Sequence, residues 1–194
     1  NCKFVGADIS KKSLEIANEL KRKNKIKNID FVQKDILTNI TKLGKFDTIL
    51  CMGVLHHLSN PKKGLQILSK MVNTDGMIFL YLYGKLGGHK RMLNKELISI
   101  LLGKQKNDFE SGIKLVRDIG FNKFDYGWNL KYKNTEEENS LIVDSLLHIN
   151  EKLYDLIDID NLFKNSGLFG YAIYGISVDV KGLLFDVGTE SSKK

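Results

Sequence analysis

The stretch FDTILCMGVLHHLSNPKKGLQILSKMVNTDGMIFLYLYG (Phe46–Gly84) decides the fold. FDTILCM (Phe46–Met52) is a β-rich apolar run of strand length, with Gly53 as a corner after it. VLHHL and the turn signal Asn60-Pro61 follow, and from Pro61 to about Asn73 the residues Leu65, Leu68 and Val72 fall on one helix face. Asp75-Gly76 reads as a turn into MIFLYLY (Met77–Tyr83), which is apolar throughout and suits a strand covered on both faces. Strand, helix and strand in that order, with apolar strands, make a parallel crossover unit.

Upstream the pattern repeats. KFVGAD (Lys3–Asp8) is a short apolar run, and Ser10 stands as an N-cap before Leu14, Ala17 and Leu20 at helical spacing, ending near Lys23. IDFVQ (Ile29–Gln33) is a further strand with Asp35 just past its end, and the polar Thr38–Lys45 connects it to Phe46. Downstream, GKLGGHK (Gly84–Lys90) reads as a glycine-rich loop at the mouth of a site, followed by helices near Met92–Leu102, Ser111–Ile119 and Glu136–Leu147. A short helix over Ile159–Asn165 closes at Gly167, Phe169–Val178 with Gly182–Val187 reads as a hairpin, and GTESSKK as a disordered tail.

A length of 194 residues fits one domain with room for a small appendage. With 42% hydrophobic and 27% charged residues the composition is that of a globular chain and excludes collagen, disorder and a disulfide scaffold. No apolar run approaches the ~18 residues of a membrane span and no signal peptide is evident, so the expected location is cytoplasmic. Cys2 and Cys51 are too few for a disulfide framework or a thiolate metal site, and Cys51 reads as a small buried apolar residue. The formal charge is +7, and residues 1–45 carry 11 Lys/Arg against 5 Asp/Glu. The arginines are only Arg22, Arg91 and Arg117, so the lysine excess is read as a solvated face, and nucleic acid is not the expected partner.

Parallel sheets bind ligands at the carboxyl ends of their strands, where this sequence places Asp8, Asp35 and the Cys51-Met52-Gly53 corner. A carboxylate there accepts hydrogen bonds from vicinal ribose hydroxyls, and a second accepts from an exocyclic adenine amine. Equally, Asp8 opens the Ser10 capping turn and Asp35 an Asx turn. Both readings stay open.

Taken together and in order, these segments resemble the class I S-adenosylmethionine-dependent methyltransferases. FVGADIS is similar to that family's second strand with its ribose-binding acid at Asp8, FVQKDI to the third with the adenine-side acid at Asp35, FDTILCMGVLHHLSNP to the fourth strand and its corner, and NTDGMIFLYLYG to the fifth. LLHINEKLYDLIDIDNLFKNSGLFGY (Leu146–Tyr171) is more loosely similar to a C-terminal region of some bacterial methyltransferases. The resemblance implies a doubly wound α/β fold with a mostly parallel, Rossmann-like sheet, a helical insertion and a C-terminal β-hairpin. It implies S-adenosylmethionine as cofactor, S-adenosylhomocysteine as product, and Asp8, Ile9, Asp35, Ile36, Met52 and Gly53 as cofactor-binding residues. The family's first strand and glycine-rich loop fall before Lys3 and have no counterpart here, so the chain reads as an N-terminally truncated fragment, inactive alone. Residues 1–84 are then an incomplete cofactor-binding half, 85–187 a helical substrate-side segment with the final strands, and 188–194 the tail.

Methyl transfer from a sulfonium needs alignment and exclusion of water more than it needs catalytic groups. A hydroxyl or carboxylic acid acceptor is helped by a base, for which His57 is the first choice and His56 the second. Against this, one of the pair packs or bonds to the backbone while the other faces water. Adjacent histidines point about 100° apart on a helical turn and no other ligands complete a metal set, so no metal is expected. His89 and His148 each stand alone. Tyr81, Tyr83, Tyr126, Trp128, Tyr132, Tyr171 and Tyr174 either line an acceptor pocket or fill the core. The expected acceptor is a small molecule or metabolite, with no membrane partner and no assigned oligomeric state. The alternatives are a non-catalytic module of the same fold and an RNA or protein methyltransferase using the Lys11–Lys27 lysines.

Overall fold

The computed structural model describes residues 2–38, 40–121, 134–148, 150–164 and 166–173. These form two compact units: one from the described parts of Asn1–Ile49, Lys62–Ile78 and Asp160–Lys194, the other from those of Leu50–Pro61 and Phe79–Ile159.

In the first unit, β1 (Phe4–Asp8) pairs in parallel with β2 (Ile29–Gln33), in a register running from Phe4 opposite Ile29 to Asp8 opposite Gln33. The crossover between them is α1 (Lys11–Lys23), whose N-cap Ser10 accepts from the Ser13 N–H at 3.2 Å. Lys21, Arg22 and Lys23 fill its last turn, where cations suit the carbonyl end of the helix dipole. Lys11, Lys12 and Lys23 are exposed, which places much of the lysine excess on a solvated helix face.

β3 (Phe46–Met52) and β4 (Val72–Tyr81) form a second two-stranded sheet. Asn73 Nδ2 donates to Asp47 Oδ1 (2.7 Å) where both strands start, and Gly53 N–H donates to the Tyr81 carbonyl (3.3 Å) where both end, so they run parallel. Between them lies α2 (Pro61–Met71), with Pro61 at its first position and Leu65, Leu68 and Met71 buried. Among the described residues β1 and β3 belong to different sheets and do not pair.

The turn expected at Asp75-Gly76 is absent, because β4 already begins at Val72 and carries both residues within it. Gly76 is there for proximity: a Cβ would stand 2.6 Å from the Asp47 carbonyl oxygen and 2.7 Å from Val72 Cγ2. Gly76→Ala is therefore expected to cost about 1–3 kcal/mol of stability, the usual range for overpacking. Urea denaturation reads it directly, and an unchanged midpoint would mean that β3 yields freely at this point.

In the second unit, the glycine-rich loop expected at Gly84–Lys90 is instead the first two turns of α3 (Lys85–Leu102), with Gly84 as its N-cap. Gly88 faces Leu153, whose Cδ1 would lie 2.7 Å from an added Cβ, so this glycine serves close packing rather than mobility. Next come α4 (Phe109–Asp118), capped by Asp108, and α5 (Thr135–Ile142), capped by Asn134 and continued by a π-helical turn over Val143–Leu147. Ile98, Val116, Ile142, Leu146 and Leu147 form the core of these helices.

The last helix, α6 (Leu156–Phe163), begins three residues before its expected start. Asp155 and Asp158 cap it reciprocally, each accepting the other's backbone N–H at 2.8 and 3.1 Å. Gly167 follows at φ +88°, a left-handed conformation that glycine takes without strain. Tyr126, Trp128, Tyr132, Tyr174, most of the expected hairpin and the tail lie outside the described residues. Among the described residues no helix is long and apolar enough to cross a membrane.

Candidate active site

The ends of β1 and β2 are laced together. The Lys34 N–H donates to the Asp8 carbonyl (3.0 Å) and Gln33 Nε2 to the Ile9 carbonyl (2.9 Å), so Asp8 and Asp35 close two adjacent strands on one rim. Asp8 Oδ1 accepts from the Ser10 N–H (2.7 Å) and Asp35 Oδ1 from the Leu37 N–H (2.8 Å). Both local turns that the sequence allowed therefore exist, and each uses one carboxylate oxygen. The two Oδ2 atoms have no hydrogen-bond partner among the described residues. Beside them, Ile9 is 68% exposed and Ile36 half-buried.

At the end of β3, Met52 is exposed and Gly53 turns the chain at φ +73°. The 3₁₀ turn Leu55–His57 follows, anchored by the fully buried Leu55. His56 is also fully buried, and neither ring nitrogen has a hydrogen-bond partner among the described residues. Burial first, and the neighbouring His57 second, push its pKa down to about 4, so its ring is neutral at physiological pH. Burial likewise pushes the Cys51 thiol up to about 11, which makes it an inert packing residue.

His57 is half-buried, with Nδ1 lying 2.7 Å from the Asn150 carbonyl oxygen. Its ring is one rung of a stack: His148 and His57 centroids are 4.2 Å apart, His57 and His56 4.2 Å, His56 and Tyr83 4.0 Å. The Arg91 guanidinium lies 4.7 Å from the Tyr83 ring centroid and closes the stack at its far end. Tyr81 meets Tyr83 edge-on at 5.7 Å, whereas His89 is exposed on α3 and outside these ring contacts. Among the described residues no group of three or more His, Cys, Asp and Glu side chains is arranged to hold a metal ion.

One segment, Asn150–Asp155, irregular apart from a parallel bridge between Tyr154 and Gly84, ties this corner together. The Lys152 N–H donates to the His56 carbonyl (3.0 Å), the Tyr154 N–H to the Tyr83 carbonyl (2.9 Å) and the Lys85 N–H to the Tyr154 carbonyl (2.9 Å). Lys85 Nζ pairs with Asp155 at 2.7 Å and Asp158 at 2.6 Å. Glu151 points inward, its side chain 1% exposed, to Arg91 and to Lys95 Nζ at 2.5 Å. Those two cations hold its carboxyl below the usual range although burial alone would raise it. Sequence reasoning left Glu151, Arg91 and Lys95 unread; the one signal was the cation pair Arg91 and Lys95 at i and i+4 on a helix face.

A parallel α/β framework with acids at its strand ends and an aromatic, histidine-bearing corner defines a class, and comparison with known proteins bears this out. The chain belongs to the methyltransferase-domain family, whose model matches residues 1–140. Its fold is that of the S-adenosylmethionine-dependent methyltransferases.

An uncharacterised protein of Synechococcus sp. is 26% identical over 175 residues, which is 87% of this chain and 42% of that protein. A ubiquinone biosynthesis O-methyltransferase of Glaesserella parasuis is 29% identical over 117 residues, 57% of this chain and 49% of that enzyme. Among solved structures, PKMT2 from Rickettsia typhi in complex with AdoHcy matches with TM-score 0.56 and 22% identity over 84% of this chain and 33% of that one, a likeness of fold. The chain thus spans less than half the length of these proteins.

The residues present fit the adenosine part of the cofactor. Two carboxylate oxygens on neighbouring strand ends lack partners among the described residues, and the half-buried Ile36 and exposed Ile9 flank them. Hydroxyls and an amine are donors that such acceptors bind.

Proposed function

We propose that the protein carrying this chain transfers a methyl group to a hydroxyl or carboxyl oxygen of a small-molecule acceptor. Residues 1–84 serve as the cofactor-binding half and the helical segment from residue 85 as the acceptor side. When bound, S-adenosylmethionine supplies an electrophilic methyl group on a sulfonium. Asp8 holds the ribose through its free carboxylate oxygen and Asp35 the adenine amine, with Ile9 and Ile36 beside them, and Met52 and Gly53 are the cofactor-binding residues at the end of β3. His57 takes the acceptor's proton at Nε2, which has no protein partner among the described residues. His56 supports that ring from its buried side.

The observation that carries this reading is the half-buried imidazole of His57, anchored through one nitrogen and free at the other. The Glaesserella relative's name, an O-methyltransferase of ubiquinone biosynthesis, supports an oxygen acceptor.

Incubating the full-length protein with methyl-labelled S-adenosylmethionine and separate pools of metabolites, RNA and protein is expected to label the metabolite pool, and His57→Gln to lower that labelling about 10²–10⁴-fold. Label in RNA or protein alone would replace the acceptor assignment. Asp8→Ala is expected to weaken cofactor binding by about 1.5–3 kcal/mol, the scale for hydrogen bonds to a charged acceptor, and Asp35→Ala by less. Calorimetry reads both, and unchanged affinity in the two variants would remove the binding assignment.

A further inference from the structure

Neutral histidine in water favours the tautomer with its proton on Nε2, which would leave His57 with no lone pair at the nitrogen facing an acceptor. A base at Nε2 requires the other tautomer, and the partner of Nδ1 decides which one is present. That partner is the Asn150 carbonyl oxygen at 2.7 Å, an atom that only accepts. Nδ1 therefore carries the proton and Nε2 is left with the lone pair.

A backbone carbonyl is only as well placed as its segment, and here the next residue is fixed from within. Glu151, with its side chain 1% exposed, is clamped by Arg91 and Lys95 on successive turns of α3. Lys152 and Tyr154 then bond to the backbone of His56 and Tyr83, on either side of the corner. Leu153 packs against the face left open by Gly88. Between Asn150 and Asp155 every residue is held, by α3, by the Leu55–His57 turn or by Tyr83, which is far more than a connecting segment needs.

We infer that Asn150–Asp155 is a strap that selects the Nδ1–H tautomer of His57, with Glu151 as the positioning residue that locks the Asn150 carbonyl against the ring. This deepens the proposed role of His57 as a base and rests on it for its use, though not for its truth. The tautomer is a ground-state property, present whether or not methyl transfer takes place.

The test is long-range proton–nitrogen NMR on the full-length protein labelled with ¹⁵N-histidine, with His57→Gln identifying the resonance. Wild type is expected to show a protonated Nδ1 and a bare Nε2 for His57. Glu151→Gln, which keeps the shape and removes the charge that Arg91 and Lys95 hold, is expected to convert this single form into a mixture with substantial Nε2–H. Leu153→Ala loosens the same strap without stranding a charge and is expected to shift the mixture in the same direction, which covers the case of Glu151→Gln failing to fold. Glu151→Asp is expected to recover part of the wild-type signature. An Nε2–H form in wild type, or an unaltered Nδ1–H form in folded Glu151→Gln or Leu153→Ala protein, overturns the inference. Full methyl transfer by His57→Gln would remove the base role and leave the tautomer result standing, so the two failures are distinguishable.

Discussion

Glu151→Leu is expected to lower the free energy of unfolding by about 3–5 kcal/mol, the cost of stripping one partner from a buried ion cluster. The asymmetry inside the cluster supports so large a value. Glu151 is held below its usual pKa by two cations despite its burial, so it gains from the arrangement. Lys95 is pushed below its usual pKa by burial in spite of Glu151, so it loses. Removing the carboxylate strands both cations, one on a side chain 9% exposed and the other 16% exposed. Lys95→Met alone leaves the Arg91–Glu151 pair intact and should cost little. Combined with Glu151→Leu it should recover a substantial part of the loss, because Arg91 then remains alone, over the face of Tyr83. Guanidinium denaturation of the four proteins closes the cycle. Additive single effects would mean that the cluster is not a unit.

Acidification is expected to unfold the chain earlier than its carboxylates require. His56 has a folded pKa near 4 against 6.5 for a free imidazole, so between those values the unfolded chain binds a proton that the folded chain refuses. Its stabilising contribution is complete above about pH 6.5 and disappears as the pH falls toward 4, an effect of up to about 3 kcal/mol at 1.36 kcal/mol per pKa unit. His148 is lowered by burial and by His57, and adds a loss of the same sign. Glu151, lowered by its cations, contributes stability that fades only below the ordinary glutamate pKa. Thermal melts from pH 7.5 to 4.5 should therefore slope steeply in wild type and flatten in His56→Leu, which also removes two unpartnered buried nitrogens. Equal slopes in the two proteins would place the acid sensitivity elsewhere.

Much of the framework was legible because it is written locally. Ser10 caps a helix whose apolar residues recur at its period, and the strand ends at Asp8, Gln33 and Met52 follow from short apolar runs closed by turn residues. At β4 and α3, where a turn and a loop were expected, a glycine was involved. Gly76 and Gly88 look like turn and loop signals in sequence, yet both mark places where another chain segment comes close, Asp47 in one case and Leu153 in the other. Such proximity has no local signature.

The corner around His57 was harder still. Its residues include Glu151, Arg91, Lys95, His148 and Tyr83, which share no period, and what joins them is a largely irregular segment. The turns at Asp8 and Asp35 could be read in advance because each joins a carboxylate to a backbone N–H two residues on. The surroundings of His57 do not.

That distance has a consequence for the order of assembly. His57 meets Asn150 across 93 residues, and Glu151 meets Arg91 across 60 and Lys95 across 56. Contacts of such separation close late, after local helices and neighbouring strands have formed. At about 5–20 residues per second on the ribosome, the histidine corner is made roughly 5–20 s before the residues that brace it. From the synthesis of Lys95 until that of Glu151, α3 carries two cations destined for burial without the carboxylate that clamps them, which favours keeping this surface wet and open. A polypeptide halted short of Asp155 is therefore expected to keep its strand-end acids while lacking a settled place for His57.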